Sequence, residues 1–406
     1  MNLPSAEAQY YAQRALAHAR PLARTGRGST TPAERQAAEY VQSQLHSLGF
    51  TDTQLQVFSG ERSLWLFVAL ICGLALVGHA AYWLLRTPTS NLAFILLTEL
   101  AFGLSAYLVW RRFTWRSYPL QSSLPHAPSQ NVITRLPPDA AVQQRLVLLA
   151  HLDSHRAVFW FASTLLVRIF MPLSAITLFG IFAAGPLYIL AAITDWQIFA
   201  WLGLLLAIFH FLGWFTGVTA DLGRYSPGAN DNAASVGSLL AIAERLANKP
   251  LHNTEVWLAF TGCEESDGAG ASALIETFGS QLNEAWFIDL EMVGIGDTLG
   301  YLRQEGSFSR VTIPHEIEAM LKEVGNPIGL QSLNTPMVGA WTECGLLLSR
   351  GYKAACLIAF KVGLPVIPEW HRLTDTSDKL QIASLERVQN FTWELLQRFD
   401  QAGAPS

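Results

Sequence analysis

The sequence predicts an α/β protein: a three-layer sandwich around a mostly parallel mixed sheet, with four membrane-length helices inserted as two hairpins. Three observations predict it. The 406-residue chain is 50% hydrophobic and only 15% charged, with a mean hydropathy of +0.25, whereas a soluble domain carries roughly a quarter charged residues. The apolar excess is concentrated in four long runs. Outside them, short β-type runs alternate with helical patterns, as in strands and helices packed around one sheet. The same composition excludes a disordered chain and a coiled coil, and 27 basic against 32 acidic residues exclude a nucleic-acid binder.

The first hairpin pairs Leu64–Leu85, uncharged and broken only by His79, with Asn91–Trp110, which carries one acid, Glu99. Each run is long enough to cross a ~30 Å hydrocarbon core as a helix, and Arg86 to Ser90 reads as the polar turn between them. The second hairpin pairs Pro172–Ile193 with Gln197–Thr219 across Thr194-Asp195-Trp196. The apolar stretch Ala157–Met171 contains Arg168 and reads as an interfacial or re-entrant approach. Trp65, Trp83, Trp110, Trp196 and Trp214 cluster near the ends, as interface anchors do. His79 and Glu99 are expected to hydrogen-bond across the bundle. One hairpin turn carries Arg86, while the opposite ends carry Arg62, Arg111, Arg112, Arg116, Arg156 and Arg224. The positive-inside rule then predicts a cytoplasmic catalytic domain and cytoplasmic termini. Met1–Phe50 lacks a basic region leading into an apolar one, so no cleavable signal is expected. Cys72 lies within a span and the other cysteines lack Cys-x-x-Cys spacing, which fits a reduced compartment.

The rest of the chain carries soluble patterning. Thr31-Pro-Ala-Glu34 reads as a capping box with proline at the first helical position, and Ala38, Val41, Leu45 and Leu48 continue that helix to Gly49. Gln54–Phe58, Asn131–Leu136, Arg145–Ala150, Glu255–Thr261, Trp286–Val293 and Lys353–Phe360 read as strands, and Ala234–Leu246 and Ser384–Phe399 as helices. The predicted organisation is therefore one globular domain in three parts (1–62, 111–156 and 221–406), interrupted by insertions at 63–110 and 157–220.

The polar residues that break this pattern fall at strand ends, where ligands bind in such sheets. His151 and Asp153 stand two apart where an apolar strand stops, so alternation puts them on one side and lets the carboxylate orient the imidazole. Asp231 and Asn232 precede an apolar helix, where a simple cap is the competing reading. Glu264 and Glu265 close another apolar strand, and adjacent carboxylates there repel unless a cation or proton separates them. Asp289 and Glu291 interrupt a third, where acids are costly to bury without a partner. His371 and Asp375 follow a proline-bounded loop. Singly, each pattern is equally a solvated strand end or loop. Together they gather nitrogen and carboxylate donors without cysteine, which suits zinc, with manganese or cobalt as alternatives.

His151-x-Asp153-Ser154, Gly228-Ala-Asn-Asp231-Asn232-Ala, Glu264-Glu265, Asp289-Leu-Glu291-Met-Val-Gly and His371-x-x-x-Asp375 occur in the order seen in metallopeptidase family 28. The chain outside the hairpins resembles these di-zinc aminopeptidases and their carboxypeptidase relatives. The resemblance implies two Zn2+ ions, one held by His151 and Glu291 and the other by Glu265 and His371, with Asp231 bridging. It implies Glu264 as general base, with Asp153 and Asp375 as supports. Two departures stand out. The position of Glu291 is usually an aspartate, with Asp289 as the fallback, and this leaves amino- versus carboxypeptidase preference open. The loop joining His151 to Asp231, normally short, here contains two spans.

The resemblance thus implies a membrane-anchored zinc exopeptidase, aminopeptidase first, with peptide substrates and the lipid bilayer as partners. Its site would work near the bilayer surface, on peptides or acylated substrates that collect there. Trp341 and Trp370 are candidates for a specificity pocket. A non-catalytic peptidase-fold scaffold is the main alternative, although retention of all five ligand positions and the base counts against it. A transporter using His79 and Glu99, and a single-zinc cyclase of the same fold, are the others.

Overall fold

Why the apolar strands lie side by side is set by their two faces. In Leu146-Val147-Leu148-Leu149, successive side chains point to opposite sides. Leu146 and Leu148 enter one buried cluster, and Val147 and Leu149 another. Each cluster needs its own helical cover, and three layers follow.

The computed structural model describes residues 6–86, 93–334, 340–364 and 366–402. Among the described residues, the chain begins with α1 (Ala6–Leu22), α2 (Pro32–Ser47) and β1 (Gln54–Glu61), then passes through α3 (Leu64–Leu85) and α4 (Ala93–Arg112). β2 (His126–Leu136) and β3 (Gln144–His151) follow, then α5 (Thr164–Thr194), α6 (Gln197–Ala220), α7 (Ala234–Asn248) and β4 (Thr254–Thr261). The one-turn α8 (Glu264–Asp267), α9 (Ala269–Leu282), β5 (Trp286–Glu291), β6 (Thr298–Glu305), β7 (Val311–Thr312), α10 (His315–Gly325) and β8 (Gln331–Asn334) come next. The chain closes with α11 (Glu343–Ser349), β9 (Lys353–Phe360) and α12 (Ile382–Ala402).

The strands form one mixed sheet in the order β1-β2-β4-β3-β5-β9-β6-β7, with β8 also on β6. Its centre, β4-β3-β5-β9, is parallel, and β1, β2, β6 and β7 join antiparallel. One face is covered by α1, α2, α7 and α12, and the other by α9 and α11. β4 and β5 flank β3, so the chain leaves β3 towards both sides. The carboxyl end of β3 is therefore the crevice where ligands of open α/β sheets bind. Each predicted strand is present, and the sandwich with its mixed sheet stands.

α3, α4, α5 and α6 are each long and apolar enough to cross a membrane. They pack as one bundle, α3 on α4 and α6, and α5 on α6 and α4. Leu96, Leu100, Ile193, Ile208, Phe211 and Phe215 face outward from it, each more than 50% exposed, and exposed apolar clusters of this kind mark a partner or membrane contact. Its ends abut the sheet: Ser63 Oγ donates to Asp221 Oδ1 at 2.7 Å, and Arg112 forms a buried ion pair with Glu61 at 2.8 Å. Arg112 also donates to the Ser266 carbonyl. Phe308, from the loop after β6, packs on Phe113, Phe179 and Phe182.

Several expectations change. The predicted interfacial stretch is not separate: from Thr164 onward it is the first turns of α5, which runs unbroken through Pro172 and Pro186. Arg168 is exposed near the sheet-facing end of that helix, where a long side chain keeps its charge out of the apolar layer. Residues 87–92, including most of the expected turn and the start of the second run, lie outside the described residues. Trp65 is turned inward against His155, with rings 5.7 Å apart, instead of anchoring an outer surface. His79 does cross the bundle, bonding Tyr188 at 2.7 Å and His210 at 2.9 Å. Glu99 makes no hydrogen bond among the described residues, and its buried Oε1 has no partner. Thr31 caps α2, but Glu34 does not reach back to it. Its carboxylate instead accepts from Thr30 N, Ser129 Oγ and Cys263 N. All four cysteines are free and buried.

Candidate metal centre

The parallel strands deliver the site from their carboxyl ends. β3 ends on His151, β5 ends on Glu291, and β4 runs through Gly262 and Cys263 into α8, whose first two residues are Glu264 and Glu265. Asp231 sits in the irregular turn before α7, and His371 in the loop after β9. Gly228 shapes the first of these at φ +61°. A Cβ there would lie 2.4 Å from the Asp231 carbonyl and 2.7 Å from Ser154 Cβ, so no larger residue fits. Neither Asp231 nor Asn232 serves as the simple helix cap: both side chains point into the site. Four of the eight non-glycine residues with positive φ among the described residues, Cys263, Met292, Glu369 and His371, adjoin these positions, where backbone strain is commonly held for function.

The geometry is a pair of triads sharing one carboxylate. His151 Nε2 lies 3.3 Å from Asp231 Oδ1 and 3.3 Å from Glu291 Oε2. His371 Nε2 lies 3.3 Å from Asp231 Oδ2 and 3.3 Å from Glu265 Oε2. Glu264 Oε2 is 3.9 Å from His151 Nε2. All of these residues are buried or nearly so. Two ligands ~2.0–2.1 Å from a tetrahedral ion lie about 3.3–3.4 Å apart, so the spacing matches the edges of two ligand tetrahedra meeting at Asp231.

The charges agree. Burial pushes the Glu264 and Glu265 carboxyls up and takes Glu291 to about 7. Burial opposes the charged forms of His151 and His371 as well. The surrounding carboxylates outweigh it, Glu291 foremost for His151 and Glu265 for His371, raising the first well above its ordinary value and the second to about 9. Burial would also raise Asp231, but the two imidazoles on its oxygens hold it well below the usual carboxylate range. Carboxylates this crowded need cations between them. Among the described residues, the buried oxygens Glu265 Oε1 and Glu291 Oε1 still lack a hydrogen-bond partner. His/Asp/Glu donors without sulfur suit zinc, so the residues present fit that metal.

A supporting shell fixes the donors. Asp153 Oδ1 stands 3.3 Å from His151 Nδ1, turning Nε2 towards Asp231 and Glu291. The same carboxylate accepts from Ser29 Oγ at 2.6 Å and from the backbone N–H groups of Glu264 and Glu265, both at 3.1 Å. Asp375 accepts from Asn230 N at 2.8 Å and Asp231 N at 3.1 Å. Asp289, the fallback ligand, is not in the ligand cluster; it accepts from Cys344 N at 3.3 Å, behind Glu291.

Several contributors escaped the sequence reading. Asn232 Nδ2 donates to Glu291 Oε2 at 3.2 Å, holding the longer glutamate arm. Arg27, fully buried, donates to the carbonyls of Leu22, Leu152, Pro227 and Gly228, tying the β3 end to the Asp231 turn. His155 stacks on His371 with rings 3.7 Å apart and forms a further potential ligand group with Glu265 and His371. Its signal was a second histidine four residues after His151. Phe161 meets the His371 ring edge-on at 4.6 Å. Both Trp341 and Trp370 line the cavity over the site, which measures about 320 Å³.

The comparisons with known proteins bear on the fold and the family. The family model described as Peptidase family M28 matches residues 213–396, a stretch that holds Asp231, Glu264, Glu265, Glu291 and His371, while His151 lies beyond the second hairpin. No curated protein matches the chain by sequence. Among solved structures, the chain is similar to BSAP, a zinc aminopeptidase from Bacillus subtilis, at 13% identity and a TM-score of 0.55, covering 96% of this chain and 94% of that one. An aminopeptidase from Aneurinibacillus sp. strain AM-1 matches at 14% identity and 0.55, covering 97% and 96%. A glutaminyl cyclase from an Acidobacteriales bacterium matches at 14% and 0.55, covering 99% and 98%. The fold is that of the M28-type zinc aminopeptidases, and the resemblance carried by the motifs holds.

Proposed function

We propose that the chain is a membrane-anchored, zinc-dependent exopeptidase, with aminopeptidase activity as the first expectation. One observation carries the reading: the two oxygens of Asp231 each stand 3.3 Å from a different imidazole, and each imidazole has a second carboxylate at the same distance. His151, Glu291 and Asp231 would hold one ion, and His371, Glu265 and Asp231 the other. Such a pair, when bound, polarises a water and the substrate carbonyl. Glu264 is then the proton carrier. Its carboxylate faces the cavity beside His151, takes a proton from the attacking water, and passes it to the leaving nitrogen. Asp153 holds both the His151 ring and the backbone of Glu264, so one carboxylate aligns a ligand with the base.

Segments 63–110 and 157–220 are read as insertions into one catalytic domain, with α3 to α6 crossing the bilayer. We read that domain as cytoplasmic, and the arginines on the sheet side of the bundle support this by the positive-inside rule.

The test is hydrolysis of aminoacyl and short-peptide substrates by the full chain in detergent, comparing wild type with Glu264→Gln. Cleavage abolished by chelation and by the substitution supports the reading, and the panel shows which peptide end is trimmed. Two bound metals without cleavage of any substrate would favour a scaffold. Cyclisation of an N-terminal glutamine without peptide cleavage would favour the cyclase chemistry.

A further inference from the structure

The cavity over the metal centre does not stop at the sheet. The wall that holds His151, Asp231, Glu264, Glu265, Glu291 and His371 is continuous with a wall built by α3, α5 and α6. Ile71 and Cys72 line it from α3, Leu178 from α5, and Phe209 from α6. The ends of α3 and α6 at Leu64 and Ala220 meet through the bond between Ser63 and Asp221, and β1 ends at Glu61, just before α3 begins. At 1.5 Å per residue, Ile71 and Cys72 lie ~10–12 Å up α3 from Leu64, and Phe209 lies ~16 Å up α6 from Ala220. The chamber therefore reaches between a third and a half of the way across a ~30 Å hydrocarbon core.

Its two ends differ in chemistry. The sheet end is lined by ionisable donors. In the bundle, the lining hydroxyls are already engaged: Ser174 Oγ donates to Met171 O at 2.9 Å, Thr177 Oγ1 donates to Leu173 O at 2.8 Å, and Thr216 Oγ1 accepts from Trp160 Nε1 at 3.0 Å. A peptide entering this region would bury more backbone N–H and C=O groups than these three hydroxyls can pair, at a cost of several kcal/mol for each one left over. A hydrocarbon chain carries no such groups. The unpartnered lining donor Trp65 Nε1 belongs to the ring packed on His155, at the polar end, where a head group would sit.

We infer that the substrate is a lipid-like amide, whose scissile bond lies at the metal centre and whose single long alkyl tail fills the chamber inside the bundle. The inference rests on the amide-hydrolase reading above and names its substrate class. The tail belongs either to the acyl side of the amide or to its amine side; the chamber accepts the same hydrocarbon in both cases.

The experiment has two readouts on the full chain in nanodiscs. The first is location. The dodecylamide of leucine and N-dodecanoyl-leucine, each with a photoactivatable diazirine at the tail end, are crosslinked and the adducts mapped by mass spectrometry. Adducts at Val68, Ile71, Leu178 or Phe209, competed by unlabelled fatty amide, support the chamber, and the probe that labels shows which side carries the tail. Adducts confined to the outward-facing Leu96, Ile208 and Phe215 overturn it, as does displacement by an apolar peptide where the fatty amide fails to compete. The second is chain length. Burial of each methylene is worth roughly a factor of three to four, so kcat/KM should rise on the order of 10²-fold from a butyl to an octyl tail. Ser174→Phe and Val68→Phe, which narrow the chamber from different helices, should each end that rise at a shorter tail. A flat series overturns the inference. Cleavage of short peptides with labels only on the outer surface sinks the chamber and leaves the peptidase reading intact. Labels in the chamber without cleavage of any amide do the reverse.

Discussion

The two halves of the metal centre are built to different standards. His151 sits at the end of a central strand, with Nδ1 fixed by Asp153 and Nε2 facing two carboxylates, and is 1% exposed. His371 lies in a loop at φ +55°, its Nδ1 lacks a hydrogen-bond partner among the described residues, and it is 9% exposed. What holds its ring is aromatic packing, from His155 and Phe161 on the connection that leads into α5, and from Trp370 beside it. The sheet thus supplies one half, and the connection from β3 to α5 helps to hold the other. A metal ligand positioned by a carboxylate binds more firmly than one positioned by ring contacts alone, so the two ions should bind unequally.

The largest effect probes what the halves share. Glu264→Gln should lower kcat by about 10²–10⁴-fold while both metals stay bound, as measured by elemental analysis of the purified variant. Loss of a metal instead would make Glu264 a ligand and dissolve the division. Next, Asp153→Asn should weaken metal binding at His151 by about 10–100-fold, read by competition with a zinc-sensitive dye. Equal weakening of both ions would show that the contacts of Asp153 to Glu264 and Glu265 outweigh its contact with His151. A slow chelator titration of the wild type should remove zinc in two phases. The ion of the His371 half should leave first, and a single phase breaks the comparison. The smallest effect is that of Phe161→Ala. An edge-on ring contact is worth about 0.5–1.5 kcal/mol, so the weaker ion should loosen by about two- to tenfold, with the stronger one unmoved.

The same division marks what the sequence could reveal. The His151 half was legible because strand alternation in Leu146–Asp153 and the acid in an apolar strand at Glu291 are local violations of a pattern. The central strands were legible for the same reason, since runs buried on both faces are continuously apolar. The edge was not. β6 contains Gly300 and a mixed pattern, β7 is two residues long, and β8 is a mostly exposed edge strand. α1 escaped because alanines, Ala8, Ala12, Ala15 and Ala19, form much of its buried face, and small residues give little periodic contrast. Arg168 and Pro172 suggested a break in α5, yet the helix continues, because the arginine lies near its sheet-facing end and proline is tolerated in such helices when neighbours satisfy the freed carbonyl. The partners of His371 were invisible for a different reason. His155 follows His151 by four residues, but that it and Phe161 meet the His371 ring is decided by the tertiary arrangement, which no spacing rule encodes.

Arg112, the last residue of α4, makes a buried ion pair with Glu61 and also donates to the carbonyl of Ser266, one residue beyond the Glu264-Glu265 pair. Tyr118 locks the pair from the other side, its hydroxyl donating a hydrogen bond to Glu61 Oε1 at 2.6 Å. On the membrane-anchored reading proposed above, a helix that tilts to match the thickness of its surroundings would pass that motion, through one guanidinium, to the turn that carries Glu264 and Glu265. That reading predicts one lipid thickness in which turnover is fastest, measurable by reconstituting the chain across a series of bilayers of graded acyl length.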